Sequence, residues 1–329
     1  MKTLKTGLVS AMVALLAAVT AFAAAAPDQD QGQGQALITV VPKNGDEAAR
    51  PNVTSQNVQV KVNGKTSQIT RFSPARGAGS PLELVLMIDG GARTSFGTQM
   101  SDIQNFVKEM PSHTKMTIAY MVNGRAELTG PFSSNPAEVL RGLHMPNGFV
   151  AQNASPYFCL SDLAKNWPSQ DPTARREVVM VTDGVDYYQL RYDPDDPYML
   201  SAINDAVRAH VVVYSIYWVN KGRIDRTWYE NNAGQNLLAQ VTQATGGKSY
   251  WEGFGDPVSF APYFKDLRLR FRNQYEVGFT APLKGKPDVE RFDLKVGGLA
   301  SAKVSSPQQV FVQQSGMPAS GGAPTGTGR

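Results

Sequence analysis

Two aspartates near the ends of apolar runs carry the strongest chemical signal in the sequence. Asp89 ends the segment 82–89, which is apolar throughout residues 84–88, and precedes two glycines, and Asp183 closely follows the apolar residues 178–181. Apolar runs of this length that end in a turn are typical of strands buried on both faces of a parallel sheet. Because parallel strands end at the same edge, we expect the two carboxylates to meet at the carboxyl rim of the sheet.

A pair of carboxylates is compatible with two classes of function. Asp89 and Asp183 acting as acid and base would make a hydrolase. Arg93 lies close to Asp89 in the sequence, and a guanidinium there keeps carboxylates ionised and disfavours an acid. The sequence has no nucleophile or nucleotide-binding motif, and its three histidines do not have zinc-ligand spacing. We therefore expect a non-catalytic binding module, with the secreted hydrolase as the alternative.

The loop after Asp183 is rich in tyrosine. Tyr187, Tyr188 and Tyr192 stand among several aspartates in this loop. Tyrosines beside charged groups are common at protein interfaces, although they also pack over their own loops. We interpret the aspartates as turn and cap residues rather than Ca²⁺ ligands, because Asp196 precedes a proline that starts a helix. The tyrosines are the predicted contacts with another protein.

The elements that position these residues alternate between strands and helices. Residues 82–272 have this alternation, which predicts an α/β domain with a doubly wound, mostly parallel sheet. Residues 36–81 and 273–312 instead contain consecutive strands, including a hairpin that turns at Asn63-Gly64. We expect these two terminal parts to close a small β-sandwich into which the α/β domain is inserted.

The two ends of the chain have compositions of their own. Residues 1–26 combine Lys2 and Lys5, an apolar core and small residues, which predicts a secretory signal peptide. A polar linker follows at residues 27–35, and residues 313–329 are of low complexity and are expected to be disordered. The predicted location is extracytoplasmic, periplasmic or secreted, without membrane insertion after the signal is cleaved.

Charge and cysteine content exclude several partners and bonds. The net charge is +4, and loss of Lys2 and Lys5 with the signal leaves +2, too little to predict nucleic-acid binding. The nearest approach to a basic stripe is Arg268, Arg270 and Arg272. The single cysteine, Cys159, cannot form an intrachain disulfide and is expected to be a buried structural thiol.

The segments LVLMID and VVMVTDGVD, with the alternating pattern between them, resemble a von Willebrand factor type A domain. The flanking segments NVQVKVNGKTSQITRFSP and VERFDLKV resemble the secreted bacterial proteins called von Willebrand factor A-related. The resemblance covers the mature chain apart from linker and tail. It implies an α/β fold that binds protein ligands, in many members through a divalent cation held by Asp-x-Ser-x-Ser, a later Thr and a late Asp.

Carried over to this sequence, the metal motif is degenerate. The resemblance places Asp89 and Asp183 at the two Asp positions, with Gly91 and Arg93 where the serines should be. Glycine has no side-chain oxygen and arginine has only donors, so neither coordinates a cation. The Thr loop falls near residues 152–162, where Ser155 is the plausible hydroxyl. We therefore expect no metal and no other cofactor.

Two possibilities stay open at this motif. A turn shifted by one residue would bring Thr94 and Ser95 into position and allow weak divalent-cation binding. Alternatively, the guanidinium of Arg93 replaces the cation and bridges Asp89 and Asp183 through its fixed fork of donors.

Overall fold

The computed structural model describes residues 31–314, except residues 48, 147, 150, 190, 220–227, 251–252, 254, 284 and 300. The predicted signal peptide, the first residues of the predicted linker and the chain beyond residue 314 lie outside the described residues. Among the described helices, none has the length and apolar character needed to cross a membrane.

The chain starts with four strands: β1 (Gln31–Pro42), β2 (Val58–Val62), β3 (Lys65–Ser67) and β4 (Ile69–Pro74). The β2–β3 hairpin turns at Asn63 and Gly64, which both have positive φ as a two-residue turn of this type requires. β1 begins five residues earlier than the sequence pattern predicts, so residues 31–35 are strand rather than linker.

Glycines allow this early part of β1 to pack closely. A Cβ on Gly32 would lie 2.6 Å from a methyl carbon of Val312, and one on Gly34 would lie 2.6 Å from the ring of Phe279. The polar, glycine-rich composition resembles a linker, but backbone pairing on both sides of β1 compensates for its lack of apolar side chains.

The middle of the chain forms a six-stranded sheet in the order β10-β9-β8-β5-β6-β7. Its strands are β5 (Leu82–Asp89), β6 (Thr114–Val122), β7 (Arg125–Leu128), β8 (Arg175–Thr182), β9 (Val211–Tyr217) and β10 (Ser249–Tyr250). All neighbours are parallel except β7, which returns antiparallel at the edge. The predicted mixed α/β fold with a mostly parallel sheet is confirmed.

Helices cover both faces of this sheet. They are α1 (Met100–Lys108), α2 (Pro136–Arg141), α3 (Pro156–Lys165), α4 (Pro197–Arg208), α5 (Trp228–Thr245) and α6 (Ala261–Arg272). Alternate residues of β5 enter two separate cores. Leu84 and Leu86 belong to the core that includes Phe106 and Phe264, whereas Val85 lies in the core on the opposite face.

Four further strands end the chain: β11 (Gln274–Pro282), β12 (Asp288–Val296), β13 (Ala302–Ser305) and β14 (Gln309–Gln314). They interleave with β1–β4 in a second sheet of order β3-β2-β12-β14-β1-β11-β4, with β13 also paired to β1. β14 extends to Gln314, so residues 313 and 314 are strand and not part of a disordered tail.

The predicted β-sandwich is not confirmed, because these eight strands form one hydrogen-bonded sheet rather than two. β12 lies in both halves of this sheet: residues 288–291 pair with β14, and residues 292–296 pair with β2. The rings of Phe279 on β11 and Phe292 on β12 lie 5.3 Å apart, in a core that also holds Ile38 and Val60. The N-terminal and C-terminal strands thus share one core. This agrees with the expectation that the two terminal parts form one unit.

Candidate functional site

The strands that carry the two aspartates are neighbours at the centre of the parallel sheet. Ile88 of β5 is opposite Val181 of β8, so the two strands end side by side. Asp89 is the last residue of β5, and Asp183 follows the last residue of β8. The adjacency predicted from the two apolar runs is confirmed. The carboxyl rim is defined here as the loops that follow these strand ends.

Asp89 is buried, and neutral donors bind both of its carboxylate oxygens. Its Oδ1 accepts a hydrogen bond from the backbone N–H of Gly91 at 2.8 Å. Its Oδ2 accepts bonds from the side-chain amide of Asn153 at 2.9 Å and from the hydroxyl of Thr182 at 3.0 Å. Only 2% of Asp89 is exposed to solvent. Both carboxylate oxygens are therefore engaged inside the protein.

Asp183 is directed towards its own loop. Its Oδ1 accepts a hydrogen bond from the backbone N–H of Val185 at 3.0 Å, and the hydroxyl of Tyr187 lies 3.4 Å from its Oδ2. Asp183 is fully buried. Successive residues of a strand point to opposite faces, so it is Thr182 whose side chain reaches Asp89. Thr182 is thus the residue of this segment that contacts Asp89, whereas the sequence predicted Asp183.

Gly91 fills a position where a side chain has no room. A Cβ built on this residue would lie 2.6 Å from the carbonyl oxygen of Phe149, closer than real Cβ contacts. The loop that contains Phe149 therefore rests directly on the turn after β5. A serine at this position, as in the metal-binding motif that the sequence resembles, would require that loop to move.

Arg93, Thr94 and Ser95 lie at the outer part of the same turn. Arg93 is partly buried and directly precedes a short 3₁₀ helix, Thr94–Gln99, and its carbonyl accepts the N–H of Phe96. Thr94 and Ser95 are exposed. Within the described residues no three His, Cys, Asp or Glu side chains are grouped as a metal site. Bridging by Arg93 and coordination by a shifted turn stay predictions.

A short segment before α3 connects the parts of the rim. The carbonyls of Gln152 and Asn153 accept the N–H groups of Asn123 and Gly124 in the β6–β7 turn, at 2.7 and 2.9 Å. The carbonyl of Ala154 accepts the N–H of Tyr187 at 3.0 Å. Together with the bond from Asn153 to Asp89, these contacts join the turns after β5, β6 and β8. We call residues 151–155 the rim connector.

Ser155 and Asn153 have different parts in the rim connector. Ser155, the hydroxyl predicted from the family motif, caps α3 by accepting the N–H of Tyr157 at 3.3 Å. Asn153 was not predicted, because an asparagine between a glycine-containing loop and a helix is typical of a turn. Its side-chain oxygen is buried and has no hydrogen-bond partner among the described residues.

The three tyrosines of the loop after β8 differ in exposure. Tyr188 is 68% exposed, and its ring meets those of Phe158 and Tyr198 edge-on at 5.3 and 5.9 Å. Tyr187 is partly buried through its contacts with Asp183 and the rim connector, and Tyr192 packs against the core under α3 and α4. Two of the three tyrosines therefore hold the loop, and one presents its ring to solvent.

Two further groups near the rim are structural. Asp196 caps α4 by accepting the N–H groups of Tyr198 and Met199, as predicted. Cys159 is completely buried, as predicted, and burial, followed by the nearby charge of Asp89, raises the pKa of its thiol. A thiol with a raised pKa carries little of the reactive thiolate, so it is unsuited to nucleophilic chemistry.

Phe149 has a large exposed side chain that the sequence analysis did not predict as part of the site. It is 70% exposed, while its backbone covers Gly91. A single phenylalanine in a loop has no periodicity that distinguishes an exposed ring from a buried one, so the sequence carries no signal for it.

The chain matches no protein-family model and no curated protein. Several solved structures are similar to it. One is an aerotolerance-related membrane protein from Bacteroides fragilis, with 12% identity over 58% of this chain and 98% of that one, and a TM-score of 0.42. Others are the ArnB paralog VWA2 from Sulfolobus acidocaldarius (10% identity, 85% and 75% covered, TM-score 0.40) and the SpRpn10 VWA domain (11%, 57% and 93%, 0.36). These neighbours include von Willebrand factor A domains, the family that the sequence resembles, and at these scores they carry no argument about function.

Proposed function

We propose that this protein is a non-catalytic, extracytoplasmic module that binds another protein through its carboxyl rim. The observation that carries the proposal is the pair of exposed rings, Phe149 and Tyr188, on loops that the rim connector ties to the buried Asp89. Aromatic side chains dominate the energetics of protein interfaces when a partner desolvates them. Loops fixed by backbone hydrogen bonds present such rings with little loss of conformational entropy on binding.

The burial of both aspartates favours binding over hydrolysis. A general acid or base must come within hydrogen-bonding reach of its substrate. Asp89 is 2% exposed and Asp183 is fully buried, and both oxygens of Asp89 already accept bonds from protein donors. A substrate would have to displace these donors before either carboxylate could act. The hydrolase that uses Asp89 and Asp183 is therefore the weaker hypothesis.

The same contacts support a metal site that has lost its function. Neutral donors from Gly91, Asn153 and Thr182 surround Asp89, where a cation site would offer oxygen ligands. The close approach of Phe149 to Gly91 leaves no space for a ligating side chain there. In this proposal the partner meets the rim directly and not through a bridging cation.

The extracytoplasmic location rests on the sequence of residues 1–26. Its basic start, apolar core and small residues have the pattern of a cleaved signal peptide. N-terminal sequencing of the protein recovered from periplasm and medium would test both the cleavage and the location.

Cross-linking in envelope extract tests the binding surface. The double variant Phe149→Ser/Tyr188→Ser is compared with the wild type and with Val304→Ser, which changes an exposed apolar residue on β13 of the other sheet. We expect at least one cross-linked protein to be recovered with the wild type and with Val304→Ser but lost with the double variant. An identical set of proteins for all three would contradict a rim interface.

The role of Arg93 has its own test. If the guanidinium takes the place of a cation, Arg93→Ser should lower the melting temperature of the protein, and added Mg²⁺ or Mn²⁺ should restore it. An unchanged melting temperature, with no heat of metal binding in calorimetry, would show that Arg93 does not replace a metal.

A further inference from the structure

A second site lies at the opposite end of the parallel sheet from the carboxyl rim. A cleft of about 370 Å³ opens there, beside the first residues of β5, β6 and β8 and the last turn of α6. Segments that follow β1 and β4 complete its wall. We call it the arginine cleft, because its lining contains Arg50, Arg76, Arg175, Arg268 and Arg272.

Three of these arginines have acidic partners. Arg175 lies 3.6 Å from Glu177, Arg268 lies 2.7 Å from Glu109, and Arg272 lies 4.0 Å from Glu47. Each partner lies outside the lining of the cleft, and Glu47 is also shared with Lys265 at 3.2 Å. The lining of the cleft therefore contains no acidic side chain of its own.

Arg50 and Arg76 have no acidic partner within the described part of the chain. Arg50 donates to the backbone carbonyls of Glu47 and Ala49, at 2.7 and 3.1 Å. The guanidinium of Arg76 lies over the ring of Tyr275, 5.8 Å from its centre. Neither contact neutralises a charge, so the cleft carries two positive charges that its described surroundings do not balance.

Tyr275 supports Arg76 directly and fixes the backbone next to Arg50. Its ring stacks on Phe72 at 5.4 Å and supports Arg76, while its hydroxyl donates to the carbonyl of Pro51, next to Arg50, at 2.7 Å. Tyr275 is 4% exposed, so this support is part of the core. A guanidinium held as that of Arg76 is loses less entropy when it binds a ligand.

The floor of the cleft is apolar. Leu82 and Phe271 are buried beneath it, and Met110 lies partly exposed at its side. An ordinary cluster of surface arginines has no such floor. The combination of cationic wall and apolar floor suits an anion that carries a small apolar part.

We propose that the arginine cleft binds a phosphate-bearing ligand. A guanidinium donates two parallel hydrogen bonds to a phosphate, and the two unbalanced charges match the two negative charges of a phosphate monoester. The ligand is either a soluble phosphate monoester or a lipid whose head group is a phosphate monoester, because the two share this chemistry. This site is independent of the proposed partner surface, because it lies at the other end of the sheet.

Isothermal titration calorimetry with hexyl phosphate tests the soluble form. Flotation with vesicles of phosphatidylcholine, with and without phosphatidic acid, whose head group is a phosphate monoester, tests the lipid form. The variant is Arg50→Gln/Arg76→Gln, which removes the two unbalanced charges at exposed positions. The matched control is Arg125→Gln, an exposed arginine on β7 at the far edge of the sheet.

We expect one of the two probes to bind the wild type and Arg125→Gln, with affinity reduced at least about tenfold in the double variant. Binding of hexyl phosphate identifies a soluble ester as the ligand, and binding only to vesicles that contain phosphatidic acid identifies a head group. If neither probe binds, or if the control loses as much affinity as the double variant, the proposal is wrong.

Discussion

Two buried carboxylates at opposite ends of the parallel sheet, Asp89 and Glu177, are stabilised in different ways. At the carboxyl rim, Asp89 accepts hydrogen bonds from three neutral groups. At the amino end, Glu177 lies 3.6 Å from the cation Arg175, and the amide of Gln274 donates to it at 3.1 Å. Neutral donors stabilise the first charge, whereas the second depends on a cation that also joins the two sheets.

The two carboxylates are stabilised differently because different parts of the chain lie next to the two ends of the sheet. Arg175 donates to the carbonyls of Ser80 and Phe271 and to the side chain of Gln274, at the points where the chain enters and leaves the α/β part. Around Asp89, Gly91 and Asn153 donate from loops and Thr182 donates from the last position of β8, and none of these three groups carries a charge. We therefore expect mutations at the amino end to affect the whole molecule and mutations at the rim to have local effects.

The largest effect is expected for Arg175→Met. Removal of the guanidinium leaves Glu177, which is fully buried, without its cation, and breaks the bonds to Ser80 and Phe271. Loss of one partner from a buried ion pair costs about 3–5 kcal/mol of unfolding free energy. Urea denaturation measures it. The double variant Arg175→Met/Glu177→Met should recover part of the loss, and a double variant no more stable than the single one would contradict the importance of the pair.

A smaller effect is expected at the rim for Thr182→Val. This nearly isosteric change removes the hydroxyl that donates to Asp89 at 3.0 Å. A hydrogen bond to a charged group contributes about 1.5–3 kcal/mol, so the free energy of unfolding should fall by about 2 kcal/mol. Thr66→Val, at an exposed position of β3, is the control. Equal stability of the two variants would show that Thr182 is dispensable to Asp89.

The amino end should also respond to acid through His210, which precedes β9. Burial, with a smaller contribution from Arg176, lowers the pKa of this imidazole from 6.5 to about 4. The folded state therefore favours neutral His210, so its stabilising contribution is complete above pH 6.5 and is lost as the pH falls towards 4.

His210→Asn should remove this loss, because Asn titrates no proton and tolerates the positive φ of 55° at this position. Near pH 5, after allowance for solvent screening, the wild type should have lost roughly 1 kcal/mol more than the variant, relative to neutral pH. Thermal unfolding across this range measures the difference. Parallel curves for the two proteins would contradict a lowered pKa.

The smallest effect is expected for Tyr188→Ser and Phe149→Ser. Both side chains are about 70% exposed, so each change should alter the unfolding free energy by no more than about 0.5 kcal/mol. A melting temperature within error of the wild type would support a rim whose exposed rings are available for a partner. A large destabilisation would mean that these rings support the fold instead.

The features that the sequence predicted depend on neighbours in the chain. The apolar runs before Asp89 and Asp183 predicted adjacent strands, and the Asp196-Pro197 pair predicted the start of α4. These signals are contained in a few consecutive residues, which is why a pattern reveals them. The early start of β1 was missed, because its glycines are explained by contacts with Val312 and Phe279 far along the chain.

The contacts of the candidate site depend on the tertiary fold. Asn153 donates to Asp89 across 64 positions of the sequence, and Thr182 does so across 93. The arginine cleft brings together residues from both ends of the chain, such as Arg50 and Arg272. A sequence contains no local signal for contacts between such distant residues, so the motif predicted neither Asn153 nor Thr182 as a neighbour of Asp89.

The pairing of β1 has a consequence for how the chain folds as it emerges from the ribosome. The partners of β1 are β11, β13 and β14, and Gln31 is opposite Pro282. At about 5–20 residues per second, β1 waits roughly ten to fifty seconds for its first partner to be synthesised. During that time it is an unpaired strand, which other chains can join. The α/β part can complete its sheet earlier, so a chain that stops before β11 has one finished sheet and an exposed first strand.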